Sequence, residues 1–237
     1  MTILVCWNQI ARVQFCPISQ NYCLISREHL ILVLNLINTL LSMRRLFTLI
    51  KKITILTPNE QAGLRSWLRK KELLPRERLG EDIPSGSWIF VEEGFLLLLQ
   101  REKKEWVCKN FYYEGVSTTV YNVGSAELEE KSFNVQAVEK STIYYLTPED
   151  EADMEILFTS FFYARLILNM RSYCQHKKRA SLFTLESELD RILYVQKYFA
   201  ILFRAPEKHL ADFLCVKRKT GRMLLASMQE KARSAHD

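Results

Sequence analysis

Apolar positions recur at helical spacing at both ends of the chain and at strand spacing in the middle. Residues 43–71 read as helical. They contain the start signal Thr57-Pro58-Asn59-Glu60, with Thr57 as N-cap, Pro58 at the first helical position and Glu60 at the third, followed by Leu64, Trp67 and Leu68. Between residues 73 and 146 the period shortens. Runs at 88–91, 95–99, 106–113, 118–123, 132–138 and 142–146 are apolar or alternating, and are divided at Pro84-Ser85-Gly86, Glu93-Gly94, residues 101–105, Gly115 and Gly124. Many short strands at such spacing make an antiparallel sandwich or barrel, not a parallel α/β sheet.

A second start signal, Thr147-Pro148-Glu149-Asp150, opens about 30 residues without Pro or Gly, ending near Ala180. Leu157, Phe161, Ala164 and Leu168 fall at the interval of a helix–helix seam, and Phe158, Phe162, Leu166 and Met170 form a second apolar stripe. Two stripes fit a helix that packs on its own sheet and on a twin; a single buried core helix fits the same pattern. Residues 185–203 are helical again, with Leu189, Ile192, Leu193, Val195 and Tyr198 available for packing.

Residues 206–225 read as two short helices joined by a tight turn. Pro206 suits a helix start, and Leu210, Ala211 and Leu214 share one face. Lys217-Arg218-Lys219-Thr220 then opens the second helix, where the dipole makes cations unfavourable. A phosphate partner would remove that conflict, since both lysines and helix N-termini attract phosphate. The pattern is that of a helix-turn-helix.

Charge sharpens this picture. The net charge of the 237 residues is +6. Residues 58–155 carry 12 Lys/Arg against 19 Asp/Glu, residues 156–185 carry five cations and no acid, and residues 204–237 carry 8 bases and 4 acids. An acidic middle before a basic C-terminal portion fits a polyanion partner, and charge alone fits a solvated helix face equally well.

The remaining chemistry is mostly excluding. Cys6, Cys16, Cys23, Cys108, Cys174 and Cys215 show no CxxC spacing and read as reduced thiols of a cytoplasmic protein. The first four match no ferredoxin pattern, so no cofactor is expected. His29, His176, His209 and His236 lie far apart, with no metal or triad motif, and no phosphate-cradling glycine loop is present. Glu127, Glu129 and Glu130 follow Gly124 as an exposed loop would. Catalysis is not expected. The apolar run 30–41 is too short for a bilayer span and is interrupted by Asn35 and Asn38, while Arg44 and Arg45 stand where a signal-peptide cleavage site should be. A third reading takes residues 1–42 as an N-terminal extension with Met43 starting the folded protein, which the family resemblance described next favours; no membrane partner is expected.

An acidic roll, a long helix and a helix-turn-helix occur in that order in the Crp/Fnr transcription regulators, which this chain resembles over about residues 43–225, in particular the short Bacteroidetes-type proteins. Ile89-Phe90-Val91-Glu92-Glu93-Gly94 and the strand after it resemble the family's glycine-turned hairpin. Phe133-Asn134-Val135-Gln136-Ala137-Val138-Glu139 and residues 143–146 resemble its last two roll strands, and residues 206–214 the first helix of its DNA-binding pair.

The resemblance implies an α+β fold: a cyclic-nucleotide-binding-like antiparallel β-roll (43–149) with flanking helices, a dimerisation helix (150–180) and a winged-helix-like helix-turn-helix (181–237). It implies a cytoplasmic homodimer on double-stranded DNA, with Lys217, Arg218 and Lys219 gripping phosphate and Thr220 and Arg222 reaching base edges. Any effector contacts in the roll would fall at Glu114, Gly115, Lys131 and Ser132.

The chain also departs from the family. Family members that bind cyclic nucleotides use Gly-Glu and then an Arg, but Val116 follows Gly115, and between Gly115 and Thr147 the cations are Lys131 and Lys140 alone. Cyclic AMP is thus not the expected ligand; an unknown small-molecule effector, or none, takes its place. Cys215 occupies a turn position usually held by Gly, and Gly221 falls inside the second helix at a cost of about 1 kcal/mol. These two residues motivate an alternative, a sensor or interaction protein that kept the roll and lost specific DNA readout.

Overall fold

The computed structural model describes residues 43–80, 82–120 and 133–234. The extension 1–42, the Glu127–Glu130 acids, and Lys131 and Ser132 lie outside the described residues. Two helices come first, α1 (Arg44–Lys51) and α2 (Pro58–Trp67), followed by seven strands: β1 (Arg69–Leu73), β2 (Trp88–Glu93), β3 (Phe95–Glu102), β4 (Glu105–Tyr113), β5 (Ser117–Thr119), β6 (Phe133–Ala137) and β7 (Ser141–Leu146). Helices α3 (Pro148–Leu157), α4 (Thr159–Ala180), α5 (Glu188–Tyr198), α6 (Glu207–Phe213) and α7 (Lys219–Ser234) complete the order, with 3-10 turns at Ser181–Thr184 and Ala200–Arg204.

The strands form two antiparallel sheets, β1-β7-β2-β5 and β4-β3-β6. Their side chains alternate between two apolar environments. Ile89, Val91, Leu96, Val135, Ile143 and Tyr145 point between the sheets. Trp88, Phe90, Tyr144 and Leu146 point the other way, onto α1, Met154 of α3, and Phe161, Ala164 and Leu168 of α4. Phe95, Leu97, Leu99 and Phe111 face the C-terminal helices. Both faces of each sheet are covered, which explains why these strands read as near-continuous apolar runs.

Both start signals are formed as read. The Thr57 Oγ accepts from the Glu60 N–H at 3.2 Å, and the Glu60 carboxylate accepts from the Thr57 N–H at 2.8 Å. Thr147 and Asp150 make the same reciprocal box at 3.2 and 3.3 Å.

The structure corrects four boundaries. Residues 43–71 are not one helical stretch, because the chain leaves helix at Leu68 and pairs β1 with β7 from Arg69↔Tyr145 to Leu73↔Ser141. β1, Arg-Lys-Lys-Glu-Leu, buries only Leu73, so it carries no apolar period; its cations suit an edge strand. The long helix breaks at Phe158, whose backbone (φ −134°, ψ 69°) ends α3 and caps α4. The Phe158 ring occupies the space where Gly63 of α2 lacks a Cβ, and an Arg165–Glu151 ion pair bridges the break. Residues 185–203 likewise divide into α5 and a 3-10 turn, and α7 starts at Lys219 rather than Lys217. No strand follows α7 among the described residues, so the helix pair has no wing there. Finally, the roll and the C-terminal helices share one core: Phe111 of β4 stacks edge-on against Phe213 of α6 at 4.8 Å between ring centroids.

Candidate nucleic-acid interface

α6 buries Leu210, Ala211 and Phe213 against the roll and must then reverse direction. It does so through a Schellman motif, in which the Val216 N–H donates to the Ala211 carbonyl at 2.8 Å and the Cys215 N–H to the Asp212 carbonyl at 3.1 Å. Cys215 takes the left-handed conformation (φ 53°) that the motif requires. The side-chain cost read from the sequence is therefore present, and the turn forms in spite of it.

α5 holds this turn from both sides. Arg191 donates to the Leu214 carbonyl at 2.7 Å and the Cys215 carbonyl at 3.3 Å, at the negative end of α6, and to the Leu185 and Glu186 carbonyls at 2.7 and 3.1 Å. One helical turn earlier, the Glu188 carboxylate accepts the Lys217 N–H at 2.9 Å and the Arg218 N–H at 3.3 Å, at the positive start of α7. Each charge thus meets the helix end of opposite sign. The N–H bonds and the nearby Arg218 and Arg191 charges hold the Glu188 carboxyl below its usual range.

Gly221 takes its meaning from this contact. A Cβ there would lie 2.6 Å from Glu188 Oε2 and 2.9 Å from Val216 Cγ1. The glycine that reads as a flaw in the helix is the clearance for the carboxylate. Further along α7, Leu225 is buried, and Gln229 Nε2 donates to the Ala205 and Phe203 carbonyls at 2.7 and 3.1 Å.

The predicted DNA-contacting residues are brought to one place. Lys217 and Arg218 precede α7, while Lys219, Thr220 and Arg222 lie in its first turn. The side chains of Lys217, Arg218, Lys219 and Arg222 are exposed, with no ion pair among the described residues. Met223 beside them is 64% exposed. The anion position at the helix start, which the sequence assigns to phosphate, is filled by Glu188.

Of the predicted effector residues, Glu114 and Gly115 are among the described ones. The Glu114 carboxylate takes two 2.9 Å bonds from Arg204 and accepts the Gly94 N–H at 3.2 Å. Arg204 also pairs with Glu139, tying the roll to the 3-10 turn before α6. Gly115 (φ 82°) makes the turn after β4, its N–H donating to the Val91 carbonyl at 2.9 Å.

Sequence reasoning missed a polar seam between α4 and the roll. Asn169 Oδ1 accepts from Trp88 Nε1 at 3.0 Å and from the Ser117 hydroxyl at 2.9 Å, and the Ser172 hydroxyl accepts the Ser117 N–H at 3.3 Å. Asn110 Nδ2 lies 2.8 Å from His176 Nδ1, and the Arg179 guanidinium, 2% exposed, donates to the Phe111 carbonyl at 3.0 Å. Burial and the Arg179 charge push His176 down to about 4. The available signal was the spacing of 169, 172, 176 and 179, which puts these polar residues on one helical face. Cys108 is buried, and its thiol is pushed up to about 12 by that burial.

No protein-family model matches the chain, and no curated protein matches it. Among solved structures it resembles a cyclic nucleotide-binding domain containing protein from Listeria monocytogenes EGD-e, at 12% identity and TM-score 0.52, over 78% of this chain and 88% of that one. It also resembles the c-di-GMP responsive global regulator CLP of Xanthomonas campestris, at 11% identity and TM-score 0.50, over 76% and 93% of the two chains. With two antiparallel sheets, a long helix laid across one of them and a C-terminal helix pair, the chain shares the cyclic-nucleotide-binding-domain fold of these two proteins.

Proposed function

We propose that the protein is a dimeric DNA-binding transcription regulator of the Crp/Fnr type that does not respond to cyclic AMP. The observation that carries this reading is the cluster of Lys217, Arg218, Lys219 and Arg222, all exposed at the front of a rigidly clamped helix. Lys217, Arg218 and Lys219 grip phosphate, and Thr220 and Arg222 face base edges. Homodimerisation uses the outer face of α4, where Tyr163, Leu166, Met170 and Tyr173 are exposed at alternating three- and four-residue spacing. A dimer would set its two α7 helices about 34 Å apart, one turn of DNA.

Insensitivity to cyclic AMP rests on the missing arginine and on Glu114, whose two oxygens are already held by Arg204. No effector or catalytic role is assigned to the roll, and a cytoplasmic location belongs to the same reading. The alternative, a sensor that has lost DNA readout, keeps Cys215 as support but loses Gly221, which serves the Glu188 contact.

The test is duplex binding across a salt series. Affinity at low salt that falls log-linearly as salt rises supports the reading; no binding at low salt, or binding indifferent to salt, defeats it. Protection of a specific operator by the unmodified protein excludes the alternative.

A further inference from the structure

We propose that Glu188 is a resident phosphate mimic, an internal anion that occupies the start of α7 and thereby limits sequence-blind grip on DNA. The inference rests on the DNA-binding reading above and adds a specificity-determining residue to it. Its basis is a set of three contacts made by one carboxylate. Oε1 accepts the Lys217 and Arg218 N–H groups at 2.9 and 3.3 Å, Oε2 accepts the Arg218 N–H at 3.3 Å, and Gly221 leaves room for Oε2 where any Cβ would stand 2.6 Å away.

These are the groups that a phosphate oxygen would use at a helix N-terminus: unpaired backbone donors at the positive end of the dipole. With Glu188 seated, a phosphate arriving there meets a like charge and finds the Lys217 and Arg218 N–H groups already taken. Contact with the backbone of DNA then falls to the exposed side chains of Lys217, Arg218 and Lys219, which are longer, more mobile and screened by salt. Base contacts by residues further along α7 are untouched. The ratio of specific to non-specific binding rises as a result, because phosphate contacts carry no sequence information.

The surroundings favour a built feature over a chance contact. The other charge on the same face of α5, Arg191, is committed to four backbone carbonyls around the turn, so the segment carrying Glu188 is fixed in place. Glu186, exposed in the same cleft of about 410 Å³ between α5 and α7, is a natural control. Its carboxylate bonds neither of the two N–H groups, yet it contributes the same formal charge.

The decisive measurement compares the wild type with Glu188→Ala, Gly221→Ala and Glu186→Ala. Gly221→Ala keeps the acid but sets a Cβ 2.6 Å from its Oε2, so the carboxylate must shift from its seat, with Val216 Cγ1 at 2.9 Å giving as well, while Ala favours helix over Gly within α7. In the first arm, backbone amide resonances of Lys217 and Arg218 are followed by NMR during titration with inorganic phosphate. Saturable shifts are expected in Glu188→Ala and Gly221→Ala but not in the wild type or Glu186→Ala. In the second arm, binding to random-sequence duplex is measured across a salt series. Several-fold tighter binding and a salt slope steeper by about 0.9, equivalent to one more phosphate, are expected in Glu188→Ala and Gly221→Ala only.

Equal phosphate response in the wild type, or none in either variant at the helix start, overturns the proposal. So does an equal gain in DNA affinity from Glu186→Ala, which would make the effect one of net charge. If no variant binds DNA, the regulator reading fails, while the phosphate arm still decides whether Glu188 holds the anion position.

Discussion

Arg204 is the electrostatic tie between the roll and the C-terminal helices, and its geometry sets the cost of removing it. The guanidinium lies 2.9 Å from each oxygen of Glu114, also meets Glu139, and sits over the Phe95 ring at 5.5 Å from the centroid. The Glu114 side chain is 14% exposed and that of Arg204 is 30% exposed. Losing one partner of a fully buried pair costs about 3–5 kcal/mol, and a hydrogen bond to a charged group contributes about 1.5–3 kcal/mol. Partial exposure, and the Gly94 N–H that still holds Glu114, put Arg204→Met at about 2–3 kcal/mol of destabilisation.

The pH dependence has a definite sign. Burial pulls the Glu114 carboxyl upward, but the Arg204 and N–H bonds more than offset it and hold it below the ordinary value of 4.5. The contribution is therefore complete above about pH 4.5 and is lost as pH falls through the lowered folded value. A double-mutant cycle of Arg204→Met and Glu114→Gln, read by urea unfolding, should give a coupling of about 2 kcal/mol at pH 7 that shrinks on acidification. A coupling under about 0.5 kcal/mol at pH 7, or one that grows as pH falls, would refute the assignment.

Three further outcomes are expected. Cys215→Gly relieves a left-handed side chain and should raise stability by about 0.5–1 kcal/mol, seen as a higher urea midpoint; a lower midpoint would mean that the thiol contributes packing. Leu166→Glu with Met170→Glu should reduce the mass in light scattering from about twice 27.9 kDa to one chain, and a persistent dimer would place the interface elsewhere. His176 titrates near 6.5 when unfolded and about 4 when folded, so the native state loses stability as pH drops through that window. His176→Gln should therefore show a smaller stability deficit against the wild type at pH 5 than at pH 7, and an unchanged deficit would contradict the depressed value.

The roll and the helix pair share one core. Phe95, Leu97 and Phe111 of the roll pack in one cluster with Leu210, Phe213 and Leu225 of the C-terminal helices. β4 and α6 are therefore in direct contact rather than joined only through the intervening chain. Arg204 adds a charged fastening to the same junction.

Sequence alone determined what depends on neighbours a few residues away. The reciprocal boxes at Thr57/Glu60 and Thr147/Asp150, the apolar runs that form β2, β3 and β7, and the tight turn at Cys215 all follow from local hydrogen bonding, period and sterics. The exposed cations at the front of α7 were also legible, because four of them in six residues exceed what one helix start can bury. Tertiary structure decided the rest. β1 pairs along the edge that β7 offers it, and at the break in the long helix the Phe158 ring fills the space where Gly63 lacks a Cβ. Glu114 meets Arg204 across 90 positions, and Glu188 meets the start of α7 across 29. Such pairings arise from packing that brings distant segments together, and no local period records them.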